Sequence, residues 1–320
     1  MIENKHTAEE LAQLQRLPLE AKIQMSRQRV RDWYNTYHGS VFVSFSGGKD
    51  STALLDLVRR DYPDVQAAFV DTGLEYPETR EFVKTIPNVA WLRPEKNFRQ
   101  VILEYGYPVI SKEVAHAVAV SRRNPGGKTY QCSFAPEASG KFTKKKWISL
   151  LDAPFPIDDK CCYVMKKAPA KKFQKETGKK PILGTMASES VLRKQAWMRT
   201  GCNAYDAKNP KSAPLSFWTE NDVLTYIKER GLKISPVYGE IVRVNNQLDL
   251  FGDETPVYKT TGCDRTGCMF CLFGCHLEKE PNRFQRMKET HPKIYDYCMR
   301  PVDEGGLGLD EVLNFIGVKH

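Results

Sequence analysis

The sequence has no apolar run near the roughly 18 to 20 residues that a membrane-spanning helix requires, and its start, MIENKHTAEELAQLQ, lacks a basic segment leading into an apolar one. Both absences predict a cytoplasmic protein with no membrane partner. No internal repeat is visible, which excludes a repeat array. Neither G-x-x-x-x-G-K-[ST] nor G-x-G-x-x-G occurs, so the two commonest glycine-rich phosphate loops are excluded as well.

What is present is a chain of 320 residues, 41% hydrophobic and 27% charged, able to bury a sizeable core as one large domain with additions or as two domains. Lys and Arg number 48 against 39 Asp and Glu, and the net charge of +9 favours phosphate, sulfate or nucleic acid as partners. Nine cysteines without an export signal point to metal ligation or reactive thiols rather than disulfides.

Thr7 and Glu10 form a T-x-x-E capping box, and a helical pattern, interrupted near Pro18, runs to His38 and stops at Gly39. SVFVSF (40–45) then reads as a strand, DSTALLDLVRR (50–60) as a helix and VQAAFVD (65–71) as a strand. The alternation continues through PETREFVKTI, VAWLR, NFRQVILEYG and PILGT (181–185), which predicts an α/β fold with a doubly wound parallel sheet. The stretch from Ser121 to Trp147, rich in Gly, Ser and Lys, reads as a loop or mobile insertion. SFWTENDVLTYIKERG reads as a capped helix, residues 238–259 as a small hairpin, and RFQRMKETHPKIYDYCM and LDEVLNFIGV as two helices. The expected organisation is a helical lead-in over 1–39, a nucleotide-binding α/β domain over 40–235 and a C-terminal extension over 236–320 that carries the hairpin and a cysteine cluster.

SFSGGKDST (44–52) joins the first strand to its helix. A strand that delivers Ser-Gly-Gly into the first turn of a helix exposes amides without helical acceptors, at the positive end of the helix dipole. Gly47 and Gly48 allow a tight turn and a close anion, Lys49 adds charge, and Ser46, Ser51 and Thr52 add hydroxyl donors. Asp50 suits a helix N-terminus, and equally a Mg²⁺ ion accompanying a pyrophosphate. A Gly-Gly helix cap is the bland reading, but six specified residues favour a phosphate.

S-G-G-K-D-S resembles the pyrophosphate loop (PP-loop) of the adenine nucleotide α-hydrolase superfamily, and the rest of the chain resembles the phosphoadenylyl-sulfate (PAPS) and adenylyl-sulfate (APS) reductase family within it. DTGLEYPET (71–79) is similar to the family's D-T-G-x-x-x-P-E-T, LGTMASESVLRKQ (183–195) to its Glu-Ser-and-arginine element, and PLSFWTENDVLTYI (214–227) to its P-x-x-x-W-x-x-x-D-V-x-x-Y-I segment. The resemblance spans roughly residues 40–275. It implies an adenine nucleotide, ATP or PAPS/APS, bound by Ser46, Gly47, Gly48, Lys49, Asp50 and Ser51 and flanked by Asp71, Thr72 and Gly73. Lys49, Asp50 and Arg193 become the candidate catalytic residues, with Arg193 a charge clamp. Taken singly, DTGLEYPET is an ordinary turn, Arg193 a solvated arginine and Trp218 a core residue.

Four thiols, Cys161 and Cys162 with Cys268 and Cys271, would suit zinc or a [4Fe–4S] cluster, and their spacing does not separate the two. KCCYVMKKAP resembles the Cys-Cys-x-x-x-Lys segment of cluster-bearing adenylyl-sulfate reductases. That resemblance implies a [4Fe–4S] cluster on Cys161, Cys162, Cys268 and Cys271. A rival, local set is Cys263, Cys268, Cys271 and Cys275. Cys132 and Cys202 read as small buried hydrophobes, and Cys298 as packing more than as a nucleophile.

Family reductases attack sulfur with a cysteine in a Glu-Cys-Gly-x-His-like tail, whereas no cysteine follows Cys298 here. Three functions compete on these grounds. The first is sulfonucleotide reduction or sulfur transfer with an electron or sulfur donor protein. The second is ATP pyrophosphatase chemistry that adenylylates and thiolates a nucleic acid, tRNA or DNA. The third is a non-catalytic nucleotide-binding redox sensor. The basic runs KFTKKKW and KKAPAKKFQKETGKK are most simply a solvated face, but they also suit a sulfonucleotide or a nucleic-acid backbone.

Overall fold

The computed structural model describes residues 4–248 and 254–320. Two compact units divide the chain: Met1–Asp71, Tyr76–Leu92 and Ala170–Thr266 form one, and Thr72–Glu75, Arg93–Pro169 and Gly267–His320 the other.

The first unit is built on a six-stranded sheet in the order β3-β2-β1-β4-β6-β5, with β1 Val41–Phe45, β2 Ala67–Val70, β3 Val89–Leu92, β4 Lys180–Leu183, β5 Asn203–Ala204 and β6 Lys211–Ser212. Only the β5–β6 pair is antiparallel, so the mostly parallel sheet is the one expected. The two short outer strands were not anticipated, since two residues carry no readable alternation.

Side-chain alternation along β1 decides the packing. Val41, Val43 and Phe45 join the large core with Val30 and Trp33 of the helix Leu19–Thr36, Leu54 and Val58 of the helix Lys49–Asp61, and Tyr226 and Ile227 of the helix Glu220–Glu229. Phe42 and Ala68 face the other way, onto Phe173, whose ring meets Phe42 edge-on at 5.1 Å. Strand order runs outward from β1 to β3 and then returns to β4 on the other side of β1. Loops that follow β1 and β4 therefore meet at a topological switch point, where open α/β sheets bind ligands.

Trp218, expected in the core, is fully buried and donates its Nε1–H to Ser26 Oγ at 2.9 Å. The hairpin is present as β7 Ile241–Leu248 and β8 Glu254–Thr260, paired antiparallel. Its tip, residues 249–253, lies outside the described residues.

The second unit is mainly helical, and three expectations are corrected there. A helix, Lys112–Arg123, occupies a stretch that sequence reading passed over. The supposed loop from Ser121 to Trp147 contains the helix Lys128–Ser133 and tight turns at Gly140–Phe142 and Lys145–Asp152. Inside the stretch the Lys144 amide donates to Ser133 O at 2.7 Å, and just beyond it the Arg122 guanidinium gathers the carbonyls of Leu150, Leu151, Ala153 and Phe155 at 2.6 to 3.0 Å. The single helix expected over 283–299 is two, Arg283–Thr290 and Pro292–Met299, because Pro292 lacks the amide that would continue the first.

Candidate functional site

In the first unit, β1 ends at Phe45 and the helix Lys49–Asp61 begins with Gly48 at its N-cap, where no side chain caps it. Gly47 makes the corner at φ +73°, and a Cβ there would meet Thr79 Cγ2 at 2.7 Å and Val83 Cγ2 at 2.8 Å. Ser51 Oγ accepts the Ser46 amide at 3.2 Å and donates to Gly48 O at 2.9 Å, which fixes the loop on itself. Gly184, after β4, lies against the same turn, since its Cβ would come within 3.0 Å of Asp50 O.

A cleft of about 270 Å³ opens over this corner, lined by Ser46, Gly48, Lys49, Asp50 and Ser51 from the loop, Gly184, Thr185, Glu189 and Arg193 from the chain after β4, and Tyr238, Arg265 and Thr266. Six of the predicted site residues thus share one cleft: Ser46, Gly48, Lys49, Asp50, Ser51 and Arg193. Gly47 faces Thr79 and Val83 and acts through the backbone alone.

Asp71 is buried and paired with Arg80 at 2.8 Å. Thr72 and Gly73 belong to the other unit, where Glu75 accepts from the Thr72 amide at 3.0 Å and from its hydroxyl at 2.7 Å, and Gly73 takes φ +74°. Tyr238, Arg265 and Thr266 were not found from sequence. Tyr238 lies in a segment read as a hairpin, and GCDRTGC was read for its cysteines only.

Lys49 is 2% exposed, with its ammonium donating to Asp264 O and paired with Glu220 at 3.0 Å. Its amide donates to Tyr238 OH at 3.1 Å, and that phenol is held by Thr266 Oγ1 at 2.8 Å. Asp50 is the contrasting residue, for its Oδ1 is buried without a hydrogen-bond partner. Burial pushes the Asp50 carboxyl above its ordinary value, Glu220 adds to the shift, and Lys49, Arg265 and Arg193 oppose it.

This has a measurable consequence for stability. A carboxyl whose folded pKa is raised holds its proton more tightly folded than unfolded. Its favourable contribution is complete below the unfolded value of 3.8 and is lost as pH rises through the folded one. Asp50→Asn is therefore expected to melt higher than wild type at pH 7 without ligand, with the gap closing toward pH 4. Thermal melts across that range check it, and equal melting at pH 7 would remove the burial argument.

In the second unit, Cys161, Cys162, Cys268 and Cys271 line one small cavity together with Lys166 and the apolar walls Leu74, Phe98, Met165, Phe270 and Phe273. Cys161 and Cys162 precede a π-helical turn, Tyr163–Lys167, a distortion that often marks functional positions. The second pair is anchored by the Met269 amide donating to Leu74 O at 2.7 Å. Burial pushes the Cys268 thiol up to about 11 and raises Cys161 and Cys271, while Lys166 opposes the shift at Cys268. Burial lowers the Lys166 ammonium, but Cys268 and Glu75 outweigh it and hold it above its ordinary value.

Among the described residues no three Cys, His, Asp or Glu side chains are gathered closely enough to hold a single metal ion. Four thiols from two segments thus line one apolar cavity, with the Lys166 ammonium beside them. The rival set is divided: Cys263 belongs to the first unit and faces Tyr76 OH at 3.7 Å, and the buried Cys275 donates to Leu272 O at 3.1 Å. Cys132, expected to be buried, is exposed. Cys298 is fully buried, as packing requires, and burial pushes its thiol far up.

A family model for the phosphoadenosine phosphosulfate reductase domain matches residues 40–111 and 128–272. An adenosine 5'-phosphosulfate reductase of Staphylococcus haemolyticus is 25% identical over 217 residues, which span 66% of this chain and 70% of that protein. A phosphoadenosine 5'-phosphosulfate reductase of Gloeobacter violaceus is 26% identical over 198 residues, 60% of this chain and 63% of its own length. The solved phosphate complex of the PAPS reductase from Candida auris aligns over 73% of this chain and 92% of that one, with a TM-score of 0.41 and 16% sequence identity.

Proposed function

We propose, because the chain belongs to the phosphoadenosine phosphosulfate reductase domain family, that it is an oxidoreductase whose substrate is a sulfonucleotide, an adenylyl sulfate bound in the cleft over Ser46–Ser51. One observation carries this reading: a single cleft gathers a glycine-bent corner with first-turn amides, the guanidiniums of Arg193 and Arg265, and hydroxyls from Ser46 and Ser51. Amides and hydroxyls of the corner would hold the phosphate, and the arginines would stabilise charge on the departing group. Reduction to sulfite and AMP takes two electrons from a donor dithiol.

Cys161, Cys162, Cys268 and Cys271 would hold a [4Fe–4S] cluster. When bound, such a cluster supplies a polarisable, redox-capable charge in an otherwise apolar pocket. Lys166 would balance the charge of its thiolate ligands.

A second reading is favoured by Asp50. A buried carboxylate oxygen without a partner, beside a phosphate corner, suits a Mg²⁺ ion shared with a polyphosphate. In that reading ATP is cleaved to AMP and pyrophosphate as an acceptor oxygen is adenylylated, and sulfur then replaces it. The exposed Lys141, Lys145 and Lys146 would suit a nucleic-acid acceptor.

Calorimetric titration with APS, PAPS and ATP, each with and without Mg²⁺, tests both readings. The first expects tight, Mg²⁺-independent binding of APS or PAPS, with sulfite released when a dithiol is supplied. The second expects ATP binding that needs Mg²⁺, with pyrophosphate released on adding tRNA or DNA. Binding without turnover in any mixture would leave a sensor, and no binding at all would end the nucleotide reading.

A further inference from the structure

A cavity of about 810 Å³ in the first unit shares no lining residue with the cleft over Ser46–Ser51. Its apolar walls are Leu14 of the helix Ala8–Arg16, Leu17 just after it, Met25 of the helix Leu19–Thr36, Trp197 of the helix Val191–Thr200, and Phe217. The size falls within the roughly 300–1,000 Å³ usual for a small-molecule site, and such walls ask for an apolar body.

Two donors in this cavity lack a good acceptor. Trp197 is 4% exposed and is covered by the His6 ring, which stacks on it at 4.8 Å, yet its Nε1 is buried with no hydrogen-bond partner among the described residues. A buried N–H left so is costly until an acceptor enters. Arg29 is the second donor, and its one ion pair among the described residues is loose, at 3.8 Å from Asp32. Burial holds the Cys202 thiol up at about 11, while Trp197 and Arg29 beside it oppose the shift without overcoming it. Cys202 therefore presents both donors with a neutral thiol, which is a weak acceptor.

Two acids also line the cavity, and both are engaged. Glu10 accepts from the Thr7 amide at 2.9 Å and pairs with His6 at 3.4 Å, and Asp32 accepts from Gln28 Nε2 at 2.7 Å.

We propose that this cavity binds an apolar monocarboxylic acid, its body against Leu14, Leu17, Met25 and Phe217 and its carboxylate on the Arg29 guanidinium and the Trp197 N–H. A carboxylate answers both donors at once, because it offers two charged oxygens in the planar arrangement that a guanidinium pairs with best. The acid is a ligand in its own right and does not depend on the nucleotide reading.

2-Naphthoate and the uncharged 2-naphthamide share a ring and differ in charge, so together they separate the head group from the walls. In calorimetric titrations at pH 7, where the acid is ionised, wild type is expected to bind naphthoate at least tenfold more tightly than naphthamide. Arg29→Met should remove that preference while moving naphthamide affinity less than twofold, and Asp32→Asn, which takes away the competing carboxylate, should tighten naphthoate alone. Trp197→Phe should weaken both compounds, because the amide oxygen also accepts from the indole. The Arg29 side chain is 45% exposed, so Arg29→Met is expected to melt with wild type. Should it unfold instead, Asp32→Asn still decides.

Equal affinity for acid and amide in wild type would mean that the cavity reads shape alone. Naphthoate affinity unchanged in Arg29→Met or in Trp197→Phe would place the acid elsewhere, and no binding of either compound would leave no site. Each of these results overturns the proposal, and none of them touches the nucleotide cleft.

Discussion

Cys268→Ala, purified without oxygen, is expected to contain almost no iron, against about four irons per chain in wild type, and to lose the broad visible absorption of a cluster. The same result is expected for Cys161→Ala, Cys162→Ala and Cys271→Ala, since these four thiols line the shared cavity. Cys263→Ala and Cys275→Ala should keep their iron. The loss is expected to be close to all-or-none because a cubane left with three protein ligands lacks its fourth.

Buried thiols such as Cys268, pushed up to about 11, stay protonated until a metal displaces the proton. Reconstitution with iron and sulfide should therefore be markedly slower at pH 6 than at pH 8. Zinc in place of iron in the wild-type protein, or full iron in Cys268→Ala, would remove the cluster.

The loop and its strand were legible because their signals are local. Gly47, Gly48 and the apolar run before them sit next to one another in the chain, and the physics of a helix N-terminus needs nothing else. Arg193 was legible only through its neighbours Glu189 and Ser190 in a family-like segment. Tyr238, Arg265 and Thr266 were not legible, because each reaches the cleft through tertiary structure from beyond Glu229, and no periodicity marks a phenol that will accept an amide more than a hundred residues earlier.

The inward turn of Lys49 was hidden for the same reason. A lysine after two glycines reads as a phosphate ligand, and only the placement of Asp264 and Glu220 redirects it. Errors in the second unit share one cause as well. Residues 121–147 are poor in periodic apolar residues, so they read as a loop, yet bonds such as that from the Lys144 amide to Ser133 O order them without a hydrophobic stripe.

Gly47→Ala is expected to abolish nucleotide binding, with affinity at least a hundredfold lower, and to destabilise the protein at the same time. Two costs add. An alanine at φ +73° bears the left-handed penalty of about 1 kcal/mol, and a methyl group driven to within 2.8 Å of Thr79 and Val83 adds overpacking of about 1–3 kcal/mol. Both neighbours belong to the helix Pro77–Lys84 and are almost fully buried, so they cannot swing away. Relief must come from the loop, and any outward shift breaks the bonds of Ser51 Oγ to the Ser46 amide and Gly48 O that hold the corner.

Gly178→Ala is the matched control, for its φ of +69° imposes the conformational cost while its Cβ would meet nothing within 4 Å. The control should melt only slightly below wild type and bind nucleotide normally, whereas Gly47→Ala should melt several degrees lower and bind none. Equal melting and equal binding in the two variants would show that the corner is not where the ligand's charge is held.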